Sequence, residues 1–392
     1  MISFFKNDSL KIKKVFWAIL PGTVCNLRCS YCYVSKDGHV KDVKGLYKYD
    51  IETIKAGLTT ERLGGQCLAC VVSNGETLLD NNAVPIIKAL LENGHIVEIV
   101  SNGTLTSRID ELLKLEPHLL KRILFMNSFH YLEFKRLNML DTVFNNMTRM
   151  KNAGISIFMN LTLNKDYMPH LDEIKECCQK RLGIIPSIQL ALDPDNNWKA
   201  GKFYTPEVAD QVYKKFDAKE IKINDKMIYN VKRTEDCFAG AWSFVLSLGI
   251  GIATPCFSAR PGINIFDDVS KPIDFKPLRK CPAEFCGCGN LLQCLGIIPY
   301  LNYPSFTKFY KNNSILNHEI KQALSRKFVQ NNRADYIRYK FLWISEKFKP
   351  ENWKWYKKAT TLKNKKISLH NKIRYKLWKH LDKKLRKKGI IQ

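Results

Sequence analysis

The feature that most restricts what this chain can fold into is an alternation of short strand and helix signals, repeated six times before residue 195. Val15–Leu20 is an apolar run closed by Pro21-Gly22 and reads as a strand. Asp50 can cap a helix reaching about Leu63, stopped by Gly64-Gly65. Leu68–Ser73, Ile96–Val100, Ile123–Phe129, Ile155–Leu163 and Ser187–Leu192 read as the further strands. Helix patterns near Ala83–Asn93, Thr106–Leu115, Thr142–Ala153 and Met168–Arg181 separate them. Such alternation implies a parallel sheet with helices outside it, doubly wound or a partial barrel. Polar residues follow the strands: Asn74-Gly75-Glu76, Ser101-Asn102-Gly103 and Ser128, with Asn160 near the end of the fifth. The carboxyl ends of parallel strands are where such folds hold their chemistry.

The alternation stops near Asp193. Residues 14–195 are expected to form the barrel-type core, 196–236 a connecting segment, 237–300 a small Cys-rich domain and 305–392 a basic helical extension. Thirteen cysteines are many for a chain with no secretory signal and no membrane-length apolar run, features that point to the cytoplasm. Nine of them fall in two compact groups, which favours metal over cross-links. Cys67, Cys70, Cys177 and Cys178 lie outside the groups and read as core thiols.

The first group is Cys25-Asn26-Leu27-Arg28-Cys29-Ser30-Tyr31-Cys32, in the loop after the first strand. Three thiolates so close can wrap one corner of a 4Fe–4S cluster and leave one iron free for a small molecule. A zinc site would use paired Cys-x2-Cys elements and a fourth ligand nearby, and buried inert thiols are the other reading.

The Cys-x3-Cys-x-aromatic-Cys loop, with Tyr31 at the aromatic place, resembles that of the radical S-adenosylmethionine superfamily. Asn74-Gly75-Glu76-Thr77 looks like that family's Gly-Gly-Glu-Pro segment, with Asn74 and Thr77 as departures, and Ser101-Asn102-Gly103-Thr104 resembles its Thr-Asn-Gly element. The resemblance implies a partial (β/α)6 TIM-like barrel, a 4Fe–4S cluster on Cys25, Cys29 and Cys32, and S-adenosylmethionine across the strand ends. Tyr31, Gly75, Glu76, Ser101, Asn102, Ser128 and Asn160 would form the cofactor shell. It also implies an external electron donor such as flavodoxin or ferredoxin.

The second group holds Cys237, Cys256, Cys281, Cys286, Cys288 and Cys294 within 58 residues. Cys237 and Cys256 bracket glycines and alternating apolar residues, as a hairpin would. The group resembles the auxiliary-cluster domains called SPASM and Twitch, with a compressed later spacing. Those domains imply one or two auxiliary 4Fe–4S clusters, zinc being the rival.

The net charge is +26, and residues 351–392 carry 15 Lys or Arg against Glu351 and Asp382. Ile373, Leu377, Leu381 and Leu385 form a stripe there with Trp378 beside it, a basic amphipathic helix. Its charges suit solvent or the anionic inner membrane surface, and no nucleic-acid motif accompanies them. The first strand begins near residue 15, leaving no room before it for a peptide-leader domain. A carbohydrate-type substrate, oxidised or epimerised, is therefore expected. The alternatives are a peptide or protein maturase and a non-catalytic iron–sulfur electron-transfer protein.

Overall fold

The computed structural model describes residues 10–32, 34, 42–190, 192–193, 199–200, 205–216, 218–228, 231–273 and 275–347, with seven scattered positions between 376 and 387. The chain divides into two compact units, residues 1–331 and 332–392.

Six parallel strands form the centre of the first unit: β1 (Lys14–Leu20), β2 (Cys67–Ser73), β3 (Ile96–Ser101), β4 (Ile123–Ser128), β5 (Ser156–Leu163) and β6 (Ser187–Leu190). They lie side by side in chain order, each parallel to the next. This is the expected α/β architecture, a partial TIM-like barrel sheet. Alternation along each strand sends Phe16, Ala18, Ala69, Val71, Val97, Ile99 and Phe125 into the apolar layer under the helices. Helices α1 (Ile51–Gly57), α2 (Ala83–Glu92), α3 (Thr106–Leu112), α4 (Leu140–Asn152) and α5 (Leu171–Leu182) supply its other half. Burial of the branched side chains there contributes about 1.5–3 kcal/mol each.

The expected helix from Asp50 to Leu63 is two helices. Asp50 caps the first, accepting from Thr53 N at 2.8 Å. Thr59 caps a second turn, Thr60–Leu63, accepting from Arg62 N at 3.3 Å. A threonine hydroxyl inside the run competes for backbone N–H and restarts the helix.

The Cys237–Cys256 hairpin is present as β7 (Ser243–Ser247) and β8 (Ile252–Thr254), antiparallel to one another. β7 pairs in parallel with β1, so the hairpin continues the barrel sheet, and β9 (Ile263–Asn264) adds an edge. Residues 196–236 are not merely a connection: α6 (Pro206–Phe216) packs on α5, and α7 (Lys219–Met227) packs on β6. The first unit also runs past residue 305, because β10 (Ser314–Ile315) pairs with β5.

In the second unit a helix covers Arg333–Lys347. Of the expected amphipathic stripe only Leu377 is described, and it is exposed; Ile373, Trp378, Leu381 and Leu385 lie outside the described residues. Among the described residues no helix is long and apolar enough to cross a membrane.

Candidate functional site

The carboxyl ends of β1, β2, β3 and β4 surround one pocket of about 290 Å3, counting its mouth. Cys25 lines it from the loop after β1; Gly75 and Glu76 line it from the loop after β2. Ser101 and Asn102 come from the end of β3, and Ser128 and His130 from the end of β4. Five of the seven residues expected in a cofactor shell therefore share one wall-to-wall space with the first cysteine.

Glu76 organises that space. Its carboxylate is 4% exposed and accepts hydrogen bonds from Ser101 Oγ at 2.6 Å, Asn102 N at 2.8 Å and Leu78 N at 3.0 Å. Burial pushes its pKa above the usual glutamate value, and the three donors pull it part of the way back. Gly75 joins this loop to the cysteine loop. A Cβ on Gly75 would stand 2.0 Å from Val24 O, while Glu76 N donates to that same carbonyl at 2.8 Å. Only glycine lets the two backbones approach so closely.

Asn102 extends the network towards the cysteines. Its Nδ2 donates to Asn26 Oδ1 at 2.8 Å, and Asn26 Nδ2 donates to Thr104 Oγ1 at 2.8 Å. Thr104 in turn donates to Asn102 Oδ1 at 2.7 Å. Asn26 is one residue from Cys25, so this closed ring fixes the loop to β3. Gly103, at φ +74°, leaves room for Asn127, whose Nδ2 donates to Asn102 O at 2.9 Å. Asn127 Oδ1 is buried with no partner.

Cys25, Cys29 and Cys32 are all partly buried. Burial, with Glu133 nearby, pushes the Cys29 thiol up to about 12, so a bound cation would be needed to hold it as thiolate at neutral pH. Three thiols on one loop, of which Cys25 lines a pocket with a buried carboxylate while Cys29 and Cys32 stay off its lining, fit a cluster that keeps one iron for a ligand.

Tyr31 does not line the pocket. Its hydroxyl bonds His130 Nδ1 at 2.6 Å and Tyr167 O–H at 3.1 Å, tying the loop to the ends of β4 and β5. Burial pushes His130 down to about 4, so it is neutral. His130 and Tyr167 escaped the sequence reading; Asn26 and Thr104 stand inside the motifs it quotes, but their hydrogen bonds to Asn102 do not follow from it. Asn160 also stays off the lining, its Nδ2 donating to Gln189 Oε1 at 3.0 Å.

In the second group Cys237, Cys256, Cys281, Cys286 and Cys288 are near enough to shift one another's ionisation. The Cys288 thiol lies between Cys256 and Cys286 and lowers both their pKa values by hydrogen bonding. Arg233 stands beside Cys281 and Cys286; its Nη1 is buried and makes no hydrogen bond, Glu235 lying 3.8 Å off. A buried donor facing several thiols fits an anionic sulfur cluster. Cys294 stands apart. It is fully buried on α8 (Gly289–Leu295), and Lys327 is its charged neighbour. Among the described residues no three Cys, His, Asp or Glu side chains converge as they would on a single metal ion.

No curated protein matches the sequence. Among solved structures the chain is similar to SuiB of Streptococcus suis, at 15% identity and TM-score 0.47, over 66% of this chain and 64% of SuiB. It therefore spans just under two thirds of SuiB's length. It is also similar to anSMEcpe with bound AdoMet, at 16% identity and TM-score 0.44, over 83% of this chain and 98% of that one. BtrN in complex with AdoMet and 2-DOIA matches at 14% identity and TM-score 0.33, over 67% of this chain and 76% of BtrN. The family model of the Radical SAM superfamily matches residues 19–178, a span that holds β2 to β5, the three-cysteine loop and the whole Glu76 network. Residues 19–178 are a radical SAM domain.

Proposed function

We propose that this chain is an enzyme in which Cys25, Cys29 and Cys32 ligate a 4Fe–4S cluster and the adjoining pocket takes S-adenosylmethionine. The observation that carries this reading is the convergence of Cys25, Gly75, Glu76, Ser101 and Asn102 on one pocket at the strand ends. When bound, the cluster and S-adenosylmethionine supply reductive sulfur–carbon cleavage and an adenosyl radical that takes a hydrogen atom from the substrate. The chain's residues bind and orient. Gly75 and Glu76 present a backbone edge and a carboxylate to the ammonium of the methionine moiety, and Ser101 and Asn102 keep that carboxylate in place. Neutral His130 adds no charge to the pocket while it anchors Tyr31. An external donor such as flavodoxin or ferredoxin would deliver the electron.

Cys237, Cys256, Cys281, Cys286 and Cys288 offer five thiols, enough for one auxiliary 4Fe–4S cluster with one spare. The substrate class we propose is carbohydrate-type. Ser128, Asn160, Thr162 and Gln189 share one face of the sheet by register, and their neutral donors and acceptors suit hydroxyl groups. The charge of +26 suits a phosphorylated or membrane-associated sugar.

The test is anaerobic reconstitution followed by reduction. The protein should form 5′-deoxyadenosine from S-adenosylmethionine, and the Cys25→Ala, Cys29→Ala, Cys32→Ala triple variant should not. Cleavage retained by the triple variant refutes the assignment. Deuterium passing into 5′-deoxyadenosine from deuterated peptides but never from sugars would replace the carbohydrate reading with a peptide one.

A further inference from the structure

A second cavity, of about 580 Å3 counting its mouth, lies between residues 302–308 and 325–330 of the first unit, with Cys294 the nearest of the clustered cysteines, beside Lys327. Its lining includes Lys308 and Lys327 and contains no carboxylate. Neutral polar groups complete it: Asn302, Ser305, Ser325 and Gln330.

Lys308 is exposed at the mouth, while Lys327 differs from the many exposed lysines of this surface. Lys327 is a fixed cation. Its Nζ donates to Tyr303 O at 2.6 Å, and its stem lies over Gly296, where a Cβ would come within 3.4 Å of Lys327 Cδ. Its side chain is half-buried, and burial lowers its pKa, with the Cys294 thiol opposing the shift and the Lys308 charge adding to it. Among the described residues, neither ammonium has a carboxylate within ion-pair distance. Two cations that repel across a concave space, one of them held there by the fold, carry an unmet demand for negative charge. Folding has already ordered the Lys327 stem, so a ligand would not have to immobilise it.

We propose that this cavity binds a phosphate monoester. Lys327 and Lys308 are the two cations that match a group carrying close to two negative charges, and Asn302 and Ser305 are the neutral donors beside them. The phosphate belongs either to a soluble phosphorylated metabolite or to a lipid headgroup. The site is independent of the iron–sulfur reading, because none of its groups touches a proposed ligand of either cluster.

The experiment is a calorimetric titration of the full-length protein with inorganic phosphate at low salt. A parallel arm measures sedimentation with phosphatidylcholine vesicles with and without phosphatidic acid. Wild type should bind phosphate saturably. Lys308→Ala and Lys327→Met should each weaken binding by about tenfold or more, the scale of one lost charge-assisted hydrogen bond. Lys114→Ala, an exposed lysine elsewhere, should leave binding unchanged. Lys308 is exposed, so its variant keeps the test valid even where Lys327→Met fails to fold. Sedimentation that requires phosphatidic acid, depends on Lys308 and resists competition by free phosphate would identify the lipid source; competition by phosphate would identify the soluble one. Absence of saturable binding in both arms overturns the proposal. So does equal weakening by Lys114→Ala, which would mean the net charge alone was acting.

Discussion

Gly75→Ala is the most exacting test of the pocket. The new Cβ would lie 2.0 Å from Val24 O and 2.7 Å from Thr23 C, backbone atoms that no rotamer change can move aside. A carbon and a carbonyl oxygen need about 3.3 Å, so the two loops must separate by roughly 1.3 Å. That separation strains or breaks the bond from Glu76 N to Val24 O, worth about 1 kcal/mol net. Overpacking adds about 1–3 kcal/mol. Stability should therefore fall by about 2–4 kcal/mol, visible as a lower denaturant midpoint. The functional effect should be larger in proportion, because Cys25 and Glu76 lie on opposite sides of the new gap. A misplacement of about 1 Å costs on the order of a hundredfold in rate. The assay is 5′-deoxyadenosine formation per bound cluster, with iron content measured beside it. Iron content near wild type with cleavage down about a hundredfold would support the reasoning. Full cleavage by Gly75→Ala would refute it, since the Glu76 loop and the cysteine loop would then not share the cofactor.

Three further outcomes are expected. Cys288→Ala should lower the iron and sulfide held by the second group, whereas Cys294→Ala should leave both unchanged; equal losses would return Cys294 to the ligand set. Stability should decline as pH falls below about 6.5, because burial depresses the folded pKa values of His95 and His130 and the unfolded chain therefore takes up protons that the folded one refuses. Neutral His95 accepts from Cys67 N at 3.1 Å and donates to Leu58 O at 2.7 Å, so His95→Gln should flatten the slope of denaturation midpoint between pH 7.5 and 5.5; an unchanged slope would assign it elsewhere. Deleting residues 367–392 should release the protein from anionic vesicles and leave S-adenosylmethionine cleavage intact, with high salt mimicking the deletion; a full-length protein that ignores such vesicles at low salt removes the membrane role.

The sequence by itself determined the barrel strands and the chemistry of their ends. β1 to β6 fall where short apolar runs followed by polar residues put them, because local backbone preference and side-chain burial act over a few residues. The three-cysteine loop, Gly75, Glu76, Ser101 and Asn102 were legible for the same reason: each sits immediately after a recognisable strand. Partners far along the chain were not legible. Asn26 meets Asn102, and Tyr31 meets His130 and Tyr167, only because parallel strands bring their carboxyl ends together. The pairing of β7 with β1 was hidden too, since an alternating run announces a strand without naming its neighbour. The tertiary structure also divided the six clustered cysteines. Cys288 stands just before α8, in the loop that meets Cys256 and Cys286, whereas Cys294 lies inside the helix on its buried side, where the core and Lys327 surround it. Spacing in a sequence counts residues, but only the packed helix decides which way each thiol points.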